Sequence, residues 1–295
     1  MQSHQKEIWV FLLLVCAPLS ATSQGSLLTD VILVGTKHTP HTGYHSDSLL
    51  KVVVNLKPDV VLIEHDSVSG IFKTGQFKPI PRWIKYLSRI TGRSKNDIEG
   101  NMIHKLYREF PQVIVKPIDV ALNGPERDKY RKEFIRLENV FEVGMSSAFD
   151  NKEMSPYRAN LHLKREQLRT QMSKRMYSTL QEFNTDSTTE IIRQLQTLEE
   201  SHIKSLVDSV PSLQPFSKRV YQMLENWQLR DKVMAQQIQR YISAYPSKRI
   251  VVISGFFHRY YQIDHLVPKR EEMNFRLLDI DGKEMTLDEI ISFSR

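Results

Sequence analysis

The chain has 295 residues, of which 40% are hydrophobic and 25% charged, values that are typical of a globular protein with a sizeable core. Its 41 basic and 34 acidic residues give a net charge of +7, which is spread too evenly to indicate a nucleic-acid partner. The single cysteine, Cys16, excludes an intramolecular disulfide, and the function classes that need one are excluded with it.

The N-terminus has the pattern of a secretory signal. Lys6 precedes an apolar run over residues 8–17, Pro18 ends this run, and small residues follow at 20–23. The run is too short to span a bilayer of about 30 Å, and its order of regions is that of a cleaved leader. We expect a signal peptide at 1–23, a secreted or periplasmic mature chain and no transmembrane span. A lipoprotein anchored at Cys16 is the alternative.

Short runs rich in Val and Ile predict buried strands. They lie at residues 31–34, 60–63, 113–115 and 250–253, with a weaker run at 275–278. Apolar and polar residues do not alternate in them, which is typical of parallel strands covered on both faces. The predicted fold class is therefore α/β, with a mostly parallel central sheet flanked by helices.

Helical patterns connect the strands and fill a long central segment. Residues 47–56 and 96–110 are predicted helices between the first three strands. From about 125 to 220 no strand pattern appears, and a helix over 221–241 leads to the strand at 250. We expect a single α/β domain over 24–295 with a largely helical insertion at about 125–220. A basic helix at 158–175 is predicted to form a solvated face.

Titratable residues follow four of the predicted strands. Two Gly-x-x-His motifs end at His38 and His258, and the two strands between them are followed by Glu64 and Asp119. Ligands bind at the carboxyl ends of strands in open α/β sheets, and histidine can take a proton near pH 7 or coordinate a cation. These residues therefore predict a common site. The further loop histidines, His41 and His45, are expected to be solvated or to support the site.

Four short stretches resemble one superfamily, which includes the Tiki, TraB and GumN proteins, the erythromycin esterases and the haem-iron protein ChaN. Leu33–His38, Pro58–Glu64 and Val252–His258 carry the paired motifs and the glutamate. Leu229–Ala235 is similar to the Arg-Asp-x-x-Met-Ala helix of the erythromycin esterases. The resemblance covers the two ends of the core, whereas the insertion carries none of these motifs.

The resemblance implies a site built from His38, Glu64 and His258, with Arg230 nearby. In Tiki proteins such motifs are associated with metal-dependent peptide cleavage. In erythromycin esterases the corresponding His and Glu are thought to activate water without a metal, and ChaN-like members bind haem. Phe256 and Phe257 depart from the smaller residues of Tiki proteins, which predicts a narrower space beside His258.

The chemistry of these residues agrees with either hydrolytic version. His38, Glu64 and His258 are candidate ligands for Zn, Mn or Co, an ion that would lower the pKa of a bound water to about 7. Without metal, one histidine would act as general base while Glu64 orients it. Arg230 would hold a substrate carboxylate or an oxyanion, unless it pairs with a neighbouring acid on its own helix. No Gly-x-Ser-x-Gly elbow or phosphate-binding loop is present, which argues against a serine hydrolase and a nucleotide enzyme.

We therefore expect an exported, metal-dependent hydrolase that activates water at a His/Glu/His site on the carboxyl edge of the sheet and cleaves a peptide or a small-molecule ester. The predicted catalytic residues are His38, Glu64 and His258, supported by Arg230 and Asp119. The alternative is a haem-, iron- or small-ligand-binding protein without catalysis. A third possibility is a site that has only a structural role.

Overall fold

The computed structural model describes residues 28–38, 44–66, 72, 98–120 and 124–285, with the side chains of 124–135 excluded. The predicted signal peptide at 1–23, the lipidation candidate Cys16 and the loop residue His41 lie outside the described residues.

Five strands form one parallel sheet in the order β3-β2-β4-β1-β5. The strands are β1 (Thr29–Thr36), β2 (Val60–Asp66), β3 (Ile114–Asp119), β4 (Arg249–Gly255) and β5 (Phe275–Leu278). Each contains or overlaps a predicted Val/Ile run, and the predicted α/β class is confirmed. Because β4 lies between β1 and β2, the first and last motifs of the chain end side by side next to Glu64.

Helices cover both faces of this sheet and form the long central segment. They are α1 (Ser46–Asn55), α2 (Ile98–Glu109), α3 (Gly124–Asp150), α4 (Pro156–Arg175), α5 (Leu180–Phe183), α6 (Asp186–Ser209), α7 (Ser217–Ala244) and α8 (Phe256–Leu266). His45 caps α1, since its Nδ1 accepts the backbone N–H groups of Asp47 and Ser48. None of the helices in the described ranges is long and apolar enough to cross a membrane.

The sheet is apolar on both faces because successive strand residues point to opposite sides. On one face Ile63 and Ile253 pack in the cluster that includes residues of α1 and α2. On the other face Leu62 and Val252 pack with residues of α7 and α8. Burial on both sides explains why the strand sequences do not alternate.

The central helices have their own core and a buried ion-pair network. Phe141, Met145 and Leu206 belong to a separate apolar cluster. The prediction of a solvated basic face on α4 is wrong for Arg165, which is only 1% exposed. Carboxylates surround its guanidinium on three sides: Glu142 from α3, Glu166 from α4 and Glu199 from α6. These pairs satisfy the buried charge, which would otherwise be expensive to bury.

Candidate functional site

Glu64 lies at the centre of the predicted constellation and touches four of its members. Its Oε2 accepts the backbone N–H of Gly255 at 2.5 Å and lies 3.6 Å from Nε2 of His38. Its Oε1 accepts a hydrogen bond from Nη2 of Arg230 at 2.6 Å and lies 3.6 Å from Nε2 of His258. The sheet thus brings His38, Glu64 and His258 to one point at its carboxyl edge.

The surroundings of Glu64 favour its ionised form. Burial works against the charge, but His258, His38 and Arg230 together with the Gly255 N–H lower the pKa of Glu64 to about 2. Gly255 is also the N-cap of α8, so the carboxylate lies at the positive end of a helix. Glu64 is therefore a fixed negative charge at neutral pH.

Each of the two histidines is held at Nδ1 by a second carboxylate. Nδ1 of His258 lies 2.5 Å from Oδ1 of Asp231, and Nδ1 of His38 lies 3.0 Å from Oε1 of Glu99. An Nδ1–carboxylate contact fixes the orientation of the ring and leaves Nε2 for chemistry. Both Nε2 atoms then face the two oxygens of Glu64.

The two histidines differ in exposure and in their carboxylate neighbours. Burial opposes a proton on His38, but the bond to Glu99 and the charges of Glu64 and Glu99 raise its pKa to about 9. The His38 side chain is 49% exposed, whereas that of His258 is 3% exposed. Burial raises the pKa of Asp231, and its bond to His258 offsets this only in part. His38 is therefore an accessible cation at neutral pH, and His258 is enclosed.

Arg230 and Asp119 form the remaining edge of the site. Arg230 donates from Nε to Oδ1 of Asp119 at 3.1 Å and from Nη2 to Oδ2 at 2.8 Å, in addition to its bond with Glu64. Burial disfavours the charged guanidinium, but these two acids raise its pKa above the usual value. The pairing that we considered with its helix neighbour Asp231 is not the one observed. All five predicted site residues are connected, and their catalytic roles stay predictions.

Close backbone approach explains the glycines of both motifs. A Cβ atom on Gly255 would lie 2.6 Å from Nε2 of His38 and 3.2 Å from Oε2 of Glu64. A Cβ on Gly35 would lie 3.1 Å from the Cα of Phe256, so the two motifs pack against each other. His38 itself has a φ of 57°, a conformation that non-glycine residues rarely adopt. Such strain is found preferentially at functional sites.

The two phenylalanines of the second motif both pack against other aromatic rings. Phe256 is buried and packs edge-on against Phe183, with ring centroids 4.5 Å apart. Phe257 packs edge-on against Trp227 at 6.4 Å. Trp227 in turn stacks on His258 at 4.6 Å with an interplanar angle of 21°. The group that covers the His258 ring is thus Trp227 of α7.

The central helices hold the first motif in place. Asn184 accepts the N–H of Gly35 at 2.6 Å and donates to the Gly35 carbonyl at 3.0 Å. Lys37 donates to the carbonyls of Met176 at 2.5 Å and Ser178 at 2.9 Å, just beyond the end of α4. The turn that carries His38 is therefore attached to the helical segment on both sides of Thr36.

Sequence reasoning missed three residues that contact the histidines: Glu99, Asp231 and Trp227. Asp231 had a usable signal, since it follows Arg230 in the Arg-Asp stretch and lies one helical turn after Trp227. Glu99 had none, because the first turn of α2 meets His38 only through the packing of α2 on the sheet.

His38, Glu64 and His258 are side-chain types that bind divalent metals, but their arrangement in this structure does not fit a metal ion. Two imidazoles and a carboxylate are common zinc ligands. However, both oxygens of Glu64 already accept hydrogen bonds, from Arg230 and from Gly255. No group of three or more His, Cys, Asp or Glu side chains in the described ranges converges as a metal site.

Comparison with known proteins links the C-terminal half of the site to one family. Residues 139–268 match the family described as haem-binding uptake, Tiki superfamily, ChaN, which confirms the predicted resemblance. The matched span contains Arg230, Asp231 and His258 as well as most of the predicted insertion, whereas His38 and Glu64 precede it. Neither the curated proteins nor the solved structures compared with the chain gave a match.

Proposed function

We propose that this chain, which resembles the Tiki superfamily over 139–268, is a hydrolase that activates water without a metal ion. One observation carries the proposal: two histidines, each held at Nδ1 by a carboxylate, present Nε2 to the same glutamate at 3.6 Å. Oriented imidazoles of this kind are suited to general acid–base catalysis.

His258 is the proposed general base. Its Nε2 would take a proton from a water held against Glu64, and Asp231 would stabilise the resulting imidazolium at Nδ1. The hydroxide formed in this way would attack the carbonyl carbon of an ester or amide. The tetrahedral intermediate would then collapse with cleavage of the C–O or C–N bond, as the His258 imidazolium returns its proton to the leaving alcohol or amine. Enclosure of His258 and Asp231 keeps the pair away from bulk solvent, which strengthens their electrostatic interaction.

His38 is the proposed acid that faces the substrate. It is protonated at neutral pH and half exposed, so it would donate to the carbonyl oxygen as negative charge develops there. Arg230 would hold Glu64 and Asp119 in position instead of binding substrate, because its hydrogen bonds go to these two acids. The proposed substrate class is a peptide or a small-molecule ester.

A panel of esters and short peptide amides, assayed with and without a chelator, tests this proposal. His258→Ala and Glu64→Gln are expected to lower kcat by about 100-fold to 10,000-fold, the usual contribution of a general base and its partner. His265→Ala is the matched control, since His265 lies on the same helix, is exposed and contacts Tyr261. Full loss of activity on chelation would show instead that the metal-dependent version operates.

Ligand binding without catalysis is the second candidate, and two observations favour it. The matched family is described as haem-binding, and a cavity of about 1050 Å³ is lined mostly by residues of the matched span. Tyr260 and Met172 on the cavity wall are side-chain types that ligate haem iron. Yet burial and nearby acids raise the pKa of Tyr260, which opposes a tyrosinate ligand. A haem titration followed by absorbance, with no hydrolysis of the panel, would establish this candidate.

Export is part of the proposal. The apolar run at 8–17 and the small residues after Pro18 support cleavage of a leader. N-terminal sequencing of the protein from its native host is expected to begin between about Ala21 and Gly25. An intact Met1 would refute export, and an acylated Cys16 at the N-terminus would show a lipoprotein.

A further inference from the structure

A second feature of the molecule is a large cavity among the central helices. Its volume is about 1050 Å³, at the upper end of the range of small-molecule sites in proteins. Residues from α3, α4, α6, α7 and α8 line it. Trp227, which stacks on His258, and Asp231, which contacts its Nδ1, form the wall that the cavity shares with the hydrolytic site.

The cavity wall combines apolar and aromatic side chains. Met172 and Leu195 are buried in its lining, and Trp227, Phe257 and Tyr260 add ring faces and edges. These rings favour a ligand with an apolar or aryl body that packs on them.

The charge on the wall is negative. Six acids line the cavity, namely Glu138, Glu142, Glu199, Glu200, Glu225 and Asp231, against the three cations Arg165, Arg169 and Lys232. Arg165 and Arg169 are both paired with Glu142, and Arg165 is also paired with Glu199.

The surplus is also visible in individual carboxyl groups. Burial and, after it, the charge of Glu142 raise the pKa of Glu138, so a positive charge beside these two carboxylates would be stabilised. Glu138 and Glu225 line the cavity and are also exposed to solvent.

From these features we propose that the helical cavity binds an apolar organic cation, with an alkyl or aryl body inside and an ammonium group near Glu138 and Glu225. Aromatic faces attract ammonium ions through their negative quadrupole, and the negative charges of Glu138 and Glu225 add to this attraction. An anionic ligand of the same size, such as a porphyrin with two carboxylates, would be repelled by the same wall. The cavity shares Trp227 and Asp231 with the proposed water-activating site, but binding of the cation does not depend on hydrolysis.

Three ligands of similar shape test the charge preference: a phenylbutyl trimethylammonium ion, phenylpentanol and phenylpentanoate. Calorimetric titration of the full mature chain is expected to give a dissociation constant for the cation about tenfold lower than for the alcohol, with the carboxylate weakest. Quenching of Trp227 fluorescence should accompany binding and disappear in Trp227→Phe. Equal affinity for all three ligands, or tightest binding of the carboxylate, would overturn the proposal.

Variants of the lining residues test whether the ligand binds in this cavity. Glu138→Gln combined with Glu225→Gln is expected to weaken cation binding about tenfold while leaving the alcohol unchanged. Ser173→Trp, at an exposed position of the lining, should block both ligands without disturbing the core. Ser201→Trp, at an exposed position of α6 outside the lining, is the control. Cation binding that survives Ser173→Trp would show that the ligand lies elsewhere.

Discussion

Gly255 and His38 approach each other so closely that a methyl group on Gly255 would lie 2.6 Å from the Nε2 atom of His38. Gly255 is therefore needed to leave room for His38, the histidine of the other motif, and for Glu64. It is not needed for His258, the histidine of its own motif. The glycine of the second Gly-x-x-His motif thus allows the ends of two strands to come into contact.

Gly255→Ala is accordingly expected to displace His38 and to lower kcat by about 100-fold, the cost of a misplacement of roughly 1 Å at a catalytic group. The hydrogen bond from the backbone N–H of residue 255 to Glu64 can persist, so we expect only a small decrease in the thermal midpoint of unfolding. Gly144→Ala is the control: it lies in α3, where a Cβ would meet only side chains, and alanine favours the helix. Unchanged kinetics in Gly255→Ala would contradict the close contact as a catalytic requirement.

The sequence predicted the strands and the central residues of the site because both depend on local pattern. Val/Ile runs mark buried strands, and a His or Glu at the end of each run can be read directly. The order β3-β2-β4-β1-β5 could not be read in this way, since it depends on how distant segments pair. The same limit applies to Glu99, which reaches His38 from a helix. Asp231 could be predicted in part, because it belongs to the Arg-Asp stretch that resembles the erythromycin esterases.

The stability of the protein is expected to be greatest near pH 6.5, because two histidines limit it from opposite sides. His38 has its pKa raised from 6.5 to about 9, so its stabilising contribution is complete below 6.5 and is lost as pH rises through about 9. Burial lowers the pKa of His202 to about 4, with smaller contributions from His162, Arg165 and Arg158. His202 therefore binds a proton more weakly in the folded state than in the unfolded state, and stability is lost as pH falls from 6.5 to about 4.

Denaturant titrations at a series of pH values check both limits. His202→Phe should flatten the acid side, since it removes a buried imidazole for which neither nitrogen has a partner among the described residues. His38→Gln should flatten the alkaline side. Glu64 contributes in a lower range, because its pKa of about 2 means that its stabilisation is lost as pH falls below 4.5. An unchanged acid side in His202→Phe would show that this histidine is not the group that titrates.

Asp231→Asn is expected to separate activity from stability. The variant keeps the shape of the side chain but removes the charge that would stabilise a His258 imidazolium, so kcat should fall by about 100-fold or more. Burial already raises the pKa of Asp231, so an uncharged amide should fold at least as well at neutral pH. Thermal unfolding and steady-state kinetics measure the two effects on the same samples.

The double variant Asp231→Asn with His258→Ala distinguishes a working pair from two independent residues. If the two act as a unit, the double variant should be no slower than His258→Ala alone, because the carboxylate acts only through the ring. Asp264→Asn, on the exposed side of α8 where Asp264 pairs with Arg193, is the control. Additive losses in the double variant would mean that Asp231 contributes by a route other than His258.

Asn184→Ala is expected to weaken both folding and activity through the turn that carries His38. Removing the Asn184 amide leaves the buried N–H and carbonyl of Gly35 without this hydrogen-bond partner. An unsatisfied buried polar group lowers the free energy of unfolding by about 1–3 kcal/mol. Because His38 lies three residues further on with a left-handed φ, loss of this anchor should shift His38 and lower kcat. A purely structural role would lower the unfolding free energy and leave kcat of the folded fraction unchanged. Asn151→Ala, at an exposed position after α3, should stay within about 0.5 kcal/mol of the parent protein. Measuring kcat per folded molecule at a temperature well below the midpoint of each variant distinguishes these outcomes.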